Sequence, residues 1–155
     1  DFEAFRAQSN RQQAQQAGVV IDEHDARAAA EALKKKRGSI VNLSSVAGNR
    51  PYAGLGAYCV SKAAVDMITR CAALDFAPHG VRVNALCPGF FPAEQNRAIL
   101  DQERIDCIMC NTPMARFGEP EELIGATLLL LSRKAGSFIT GADYFVDGGY
   151  TAMRF

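Results

Sequence analysis

From Ser39 onward, short apolar runs alternate with long stretches of helical period, and this alternation restricts the chain to a layered α/β sheet. Residues 39–43 read as a buried strand bounded by Gly38 and the pair Ser44-Ser45. Residues 57–77 carry Val60, Ala64, Met67, Ile68, Cys71 and Leu74 at helical spacing, and Pro78 and Gly80 stop that helix. A second strand over 81–87 ends at Pro88-Gly89, a second apolar helix runs over 121–132, and a last strand over 143–146 precedes a Gly-Gly turn. Strands separated by helices pair in parallel through right-handed crossovers. The expected sheet therefore has 39–43, 81–87 and 143–147 as parallel neighbours.

Residues 90–118 lack a clean period and follow the C-terminal end of a strand, where ligands bind in open α/β sheets. A connection of this length in a small domain is usually functional. Residues 1–37 read as helix, a brief apolar Gly18–Ile21, and helix again over about 25–36.

Composition narrows the function. A chain of 155 residues, 48% hydrophobic and 22% charged, can bury a core of its own. With 17 basic and 17 acidic residues, no global field recruits nucleic acid or an anionic membrane. The densest basic run, Lys34-Lys35-Lys36-Arg37, falls where it caps a helix C-terminus. Five cysteines, an odd number, do not form a disulfide framework, and Cys107-x-x-Cys110 lacks the strand-then-helix context of a redox motif. These two are expected to be helical and packed inside a lid. His24 and His79 have no partners at metal spacing, so no metal is expected. The run 128–131 is too short to span a bilayer and no signal-peptide pattern opens the sequence, so the expectation is a cytoplasmic protein without a membrane partner.

The chemistry concentrates in Tyr58-Cys59-Val60-Ser61-Lys62. A Tyr and a Lys four residues apart share one helix face. An ammonium beside a phenol favours the phenolate, which suits proton transfer at a carbonyl or alcohol oxygen. A hydroxyl from the preceding strand end, Ser44 or Ser45, could hold that oxygen; Ser45 lies thirteen residues before Tyr58.

Five ordered segments carry a resemblance. They are residues 38–45 with Tyr58-x-x-x-Lys62, then Gly80-Val81-Arg82-Val83-Asn84, Cys87-Pro88-Gly89, Arg116-Phe117-Gly118-Glu119-Pro120-Glu121-Glu122, and Ile139-Thr140-Gly141 through Val146-Asp147-Gly148-Gly149. In this order they resemble the short-chain dehydrogenase/reductase family. The resemblance implies a Rossmann-like parallel sheet, here an incomplete doubly wound fold, and an NAD- or NADP-dependent oxidoreductase that interconverts an alcohol and a carbonyl. It makes Tyr58 the general acid/base, Lys62 its electrostatic partner and a contact of the nicotinamide ribose, and Ser45 the residue that orients the substrate oxygen. Asn42 is expected to fix the strand end. Pro88, Gly89 and Phe91 match the turn that contacts the nicotinamide, although Ala93 stands where the family often has Thr.

The same resemblance makes 90–118 a substrate lid. Gln95, Asn96 and Arg97 resemble those of the sugar-acid subgroup of D-mannonate oxidoreductase type, with Arg97 suited to a carboxylate and its neighbours to hydroxyls. The strand 39–43 is left with an open flank that residues 1–37 or another chain should cover, so a homo-oligomer, dimer or tetramer, built on the helix 57–77 is expected. Residues 1–37 do not match the family, whose glycine-rich phosphate turn has no counterpart in the sequence, so 38–155 is read as the catalytic half of the family's domain. The alternative function is a truncated, redox-inactive homologue that acts as a binding or assembly module.

Overall fold

The computed structural model describes residues 23–91 and 102–153. The chain divides into two units, residues 1–38 and 39–155. In the first, helix α1 (Glu23–Lys36) carries Lys34, Lys35 and Lys36 in its last turn, where cations meet the negative end of the helix dipole. Arg37 adopts a left-handed φ of 50°, and the Gly38 N–H closes the turn onto the Leu33 carbonyl at 2.9 Å.

The second unit runs β1 (Ser39–Leu43), α2 (Gly56–Phe76), β2 (Arg82–Pro88), α3 (Gln102–Cys110), α4 (Glu122–Leu131) and β3 (Asp143–Val146). The sheet order is β1-β2-β3 and both pairings are parallel, with Ser39 opposite Arg82 and Ala85 opposite Asp143. This is the expected arrangement, with ends shifted by one residue. It follows from the apolar character of β2, whose five inner residues Val83, Asn84, Ala85, Leu86 and Cys87 are all buried. A strand buried on both faces must lie between neighbours and under helices on each side.

Strand alternation assigns the two faces. Asn42, Cys87 and Asp143 point towards α2: Asn42 Nδ2 donates to Thr69 Oγ1 at 2.9 Å, Cys87 Sγ lies 3.9 Å from Asp66 Oδ1, and Arg70 pairs with Asp143. Ser39 and Arg82 point towards α4, where Ser39 Oγ donates to the Leu130 carbonyl at 2.9 Å and Arg82 Nη2 to the Ser132 carbonyl at 3.1 Å. The unit is therefore a helix–sheet–helix sandwich among the described residues.

The inner face of α2 is not the apolar stripe that the sequence displays. Asp66, Thr69 and Ala73 are buried, whereas Val60 (71% exposed), Met67 (55%) and Leu74 (78%) face outward. The polar inner residues are accommodated because each finds a partner at the strand ends. Asp66 is the extreme case. Burial pushes its carboxyl above the ordinary 3.8, and Asp143 adds to the rise, while the nearby Ser44 hydroxyl and the charges of Arg70 and Lys62 oppose it. Beside it, burial pushes the Cys87 thiol up to about 12, so the thiol stays protonated. Ligand-type atoms of Asp66, Cys87 and Asp143 lie within 4.8 Å of one another, but the Arg70 guanidinium already supplies the positive charge there.

Two predictions follow from this packing. Leu130 is completely buried between α4 and the sheet, so Leu130→Ala is expected to cost about 2–5 kcal/mol in urea unfolding. For Asp66 the folded pKa lies above the unfolded one, so its contribution is full below the unfolded carboxylate range and is lost as pH rises through the folded value. Asp66→Asn fixes the neutral form. Thermal melts should show a variant whose stability falls less than the parent's as pH rises above the ordinary carboxylate range; an unchanged pH profile contradicts the assignment.

Candidate active site

Lys62 follows Tyr58 by one turn of α2, and its Nζ lies 5.7 Å from the centre of the Tyr58 ring. The same Nζ donates to the Leu43 carbonyl at 3.1 Å, at the last residue of β1. Ser44 is buried, and its Oγ donates to the Lys62 carbonyl at 3.2 Å. It therefore ties the strand end to the helix. Ser45 leads into the short turn Val46–Gly48, and its Oγ accepts the Ala47 N–H at 3.2 Å. That bond uses an oxygen lone pair and not the hydroxyl hydrogen.

The turn lies directly on α2 because of Gly48. A Cβ there would collide with the Asp66 carboxylate and come within 3.0 Å of the Lys62 carbonyl carbon. Asn42, expected to fix the strand end, does so through Thr69, whose hydroxyl in turn donates to the Val65 carbonyl at 2.8 Å.

A cleft of ≈ 490 Å³ opens at the C-terminal ends of β1 and β2. Ser45, Tyr58, Lys62, Pro88, Gly89 and Phe91 all line it, so six residues singled out from the sequence meet in one place. Gln95, Asn96 and Arg97 lie outside the described residues, as does Ala93.

Three further features complete the cleft. The first is aromatic. Tyr52, Phe90 and Tyr150 pack with ring centres 5.2–6.1 Å apart, and all three line the cleft. Burial pushes the Tyr52 phenol above its ordinary value, and the neighbouring Tyr150 adds to the rise, so it remains neutral. The second is the turn that sets Tyr150 in place. Asp147 accepts from the Gly149 N–H, the Thr151 N–H and the Thr151 hydroxyl at 2.9, 2.8 and 2.6 Å, and Gly148 and Gly149 take φ of 63° and 89°. Arg50 Nη2 then holds the Thr151 and Met153 carbonyls at 2.7 and 3.0 Å.

The third is α3, which presents Arg104, Cys107, Ile108 and Asn111. Their spacing of three, four and seven residues is the one signal that marked a helix face here. Cys107 and Cys110 are helical as expected but exposed, not packed; Ile108 is the residue that buries itself. The end of this segment is pinned to the sheet by Met114 N–H on the Gly148 carbonyl and Gly118 N–H on the Phe90 carbonyl, at 3.1 and 2.9 Å. Arg116 grips Glu122 with both Nη atoms at 2.8 and 2.6 Å, and the Glu119 N–H adds a third bond at 2.9 Å. Together they hold the Glu122 carboxyl at about 2.

A family model described as enoyl-(acyl carrier protein) reductase matches residues 24–151. Galactitol 2-dehydrogenase of Rhizobium johnstonii is 46% identical over 123 residues, which cover 77% of this chain and 47% of that protein. The crystal structure of a gluconate 5-dehydrogenase from Burkholderia cenocepacia, in complex with NADP and tartrate, superposes with a TM-score of 0.78 at 35% identity, over 84% of this chain and 51% of the other. A candidate D-mannonate oxidoreductase from Haemophilus influenza with bound NAD gives a TM-score of 0.77 at 40% identity, over 81% and 47%. The chain thus spans about half the length of the curated relatives it matches. Among the described residues, no helix is long and apolar enough to cross a membrane.

Proposed function

The chain belongs to the short-chain dehydrogenase/reductase family, and we propose that it serves the NAD(P)-dependent interconversion of an alcohol and a carbonyl on a sugar acid or polyol. The observation that carries this reading is the meeting of Ser45, Tyr58, Lys62 and the turn Pro88–Phe91 in one cleft. The relatives with gluconate, mannonate and galactitol in their names support the polyhydroxylated substrate class.

The residues present suit the nicotinamide end of the cofactor. A backbone turn closes the C-terminal end of β2, as at ligand sites in open α/β sheets, and a cleft of ≈ 490 Å³ is of the size that takes a small ligand. When bound, the nicotinamide supplies or accepts the hydride. The chain supplies the rest. Tyr58, half exposed at the cleft wall, gives a proton to a substrate carbonyl oxygen or takes one from an alcohol. Lys62 stands beside it as a positive charge anchored to the Leu43 carbonyl, placed to offset negative charge that develops in the site as the proton moves. Ser45 donates its hydroxyl hydrogen to the same substrate oxygen and holds it near Tyr58. The phenyl wall of Tyr52, Phe90 and Tyr150 keeps water from one side of the site.

The subunits associate as a homo-oligomer, dimer or tetramer, through the outer face of α2. Val60, Met67 and Leu74 are spaced by seven residues and form one exposed apolar line. At 1.5 Å per residue the line is roughly 20 Å long, and an apolar face of this kind marks an interaction surface. The free edge of β1, which pairs only with β2 among the described residues, is a further reason for the unit to be covered.

Tyr58→Phe removes one hydroxyl and little volume, so the fold should persist while NAD(P)H-dependent reduction of a keto-aldonate falls by about 10²–10⁴-fold. Full activity in that variant removes Tyr58 from the proton transfer. Absence of turnover in the parent chain with cofactor bound favours the redox-inactive binding module instead. For the interface, light scattering of the double variant Val60→Glu with Leu74→Glu should give a smaller particle than the parent. A parent chain that is monomeric at micromolar concentration rules the association out.

A further inference from the structure

We infer that Asn111 reads a second, non-reacting hydroxyl of the substrate, which makes the cleft selective for polyhydroxylated ligands over simple alcohols and ketones. This rests on the proposed alcohol–carbonyl chemistry at Tyr58 and names the residue that sets its substrate class.

The inference starts from the way the Asn111 amide is held. Asn111 is half-buried at the end of α3 and lines the cleft. Its backbone N–H and its Nδ2 both donate to the Cys107 carbonyl, at 3.2 and 2.7 Å, and Nδ2 also lies 3.7 Å from Cys107 Sγ. A carbonyl oxygen only accepts, so the end of the amide that meets it is the nitrogen. Nδ2 has two hydrogens, and Cys107 offers two acceptors for them. Oδ1 is the end left over, and among the described residues nothing donates to it.

The seat of this amide is fixed by its neighbours. Thr112, next in the chain, is 4% exposed, and its hydroxyl donates to the Ile108 carbonyl at 2.8 Å. The Ala115 N–H returns to the Thr112 carbonyl at 2.8 Å, and the Met114 N–H reaches the Gly148 carbonyl beyond β3. Asn111 is therefore placed before a ligand arrives and has little freedom left to lose on binding.

Its chemistry complements that of the reacting end. Ser45 and Tyr58 each carry a hydroxyl hydrogen, which suits the oxygen of a carbonyl. Oδ1 carries none. It accepts from a hydroxyl and gives nothing to a ketone, so the hydroxyl it takes is not the one that becomes the carbonyl. A ligand that satisfies both places needs two oxygens, one of which stays a hydroxyl throughout. An analogue without that hydroxyl leaves Oδ1 unpaired against a C–H group, which is the mismatch that polar sites reject most strongly. The rings of Tyr52, Phe90 and Tyr150 supply apolar surface for the C–H face of the same carbon chain.

The test is binding, not turnover. Galactitol and a panel of its monodeoxy congeners, each missing one hydroxyl, are titrated into the 155-residue chain and followed by ligand-observed NMR. Asn111→Leu, which keeps the approximate shape and loses the acceptor, should weaken galactitol roughly 3–10-fold. Asn111→Ala removes the same acceptor from a smaller side chain and should do likewise. The congener that lacks the recognised hydroxyl should bind parent and variants alike, while the others lose affinity as galactitol does. A merely structural role would not produce that pattern, because a loosened α3 weakens every congener. Thermal melts confirm that each variant is folded. Three results overturn the inference: unchanged galactitol affinity in both variants, equal loss across the whole panel, or no saturable galactitol binding to the parent.

The redox reading fails separately. Congener-specific dependence on Asn111 in a chain that never transfers hydride sinks the oxidoreductase proposal alone. Turnover of a polyol that ignores Asn111→Leu sinks the hydroxyl role alone.

Discussion

Lys62 is bonded to the end of β1 twice, through its ammonium to the Leu43 carbonyl and through its own carbonyl to Ser44 Oγ. Asn42, one residue before Leu43, reaches two turns further along α2 to Thr69. These bonds, spread over about two turns, forbid α2 from sliding or rotating against the strand. Each contributes only about 0.5–1.5 kcal/mol net, but a buried partner left unsatisfied costs about 1–3 kcal/mol. The arrangement therefore penalises a shift more than it rewards the native position. Tyr58 and Ser45 have a defined relation because one rides on the helix and the other on the turn fastened to it. Gly48 removes the last obstacle by letting that turn touch the helix backbone.

Beneath the cleft, the same helix accepts a cost. Asp66 is a buried acid beside a second carboxylate and a protonated thiol, and its surroundings resist its ionisation. An all-apolar contact would be easier to bury. What the acid supplies is position: it approaches Cys87 and fills the space that Gly48 leaves. Polar groups at the strand ends set the register of α2, and the apolar middle strand supplies the bulk of the burial. The outward apolar stripe of the helix is left for another surface.

The sheet and its order were legible because β2 has a run of buried small and branched residues that only a central parallel strand can use. The Tyr58–Lys62 pair was legible because four residues is a fixed geometric offset on a helix, and Ser45 because its distance from Tyr58 fits the resembled family. Burial of Ser44 adds a physical reason for the same preference. The facing of α2 was not legible. Val60, Met67 and Leu74 advertise an apolar stripe, and nothing local to Asp66 or Thr69 announces that Cys87 and Asn42 will come to meet them. Of α3 the helical state of Cys107 and Cys110 was legible but its facing was not, because it is nine residues long, mostly polar, and buries one side chain. Tyr52 and Tyr150 are 98 residues apart in sequence and become neighbours through Arg50 and Asp147, two charged residues that no periodic pattern marks.

Arg50 holds the end of the described chain by the carbonyls of Thr151 and Met153, and Asp147 grips it chiefly by backbone N–H groups. Backbone atoms are common to every amino acid. Gly148 and Gly149 are held to glycine by their left-handed φ and the Thr151 hydroxyl by its bond to Asp147, but the Tyr150 side chain takes no part in those bonds and is at liberty to change without loosening the strap. Tyr150, which forms part of the wall, sits in the middle of it. The anchor and the contact surface are thus inherited separately. A lineage can reshape what the cleft touches, one side chain at a time, while the fastening that presents it stays the same.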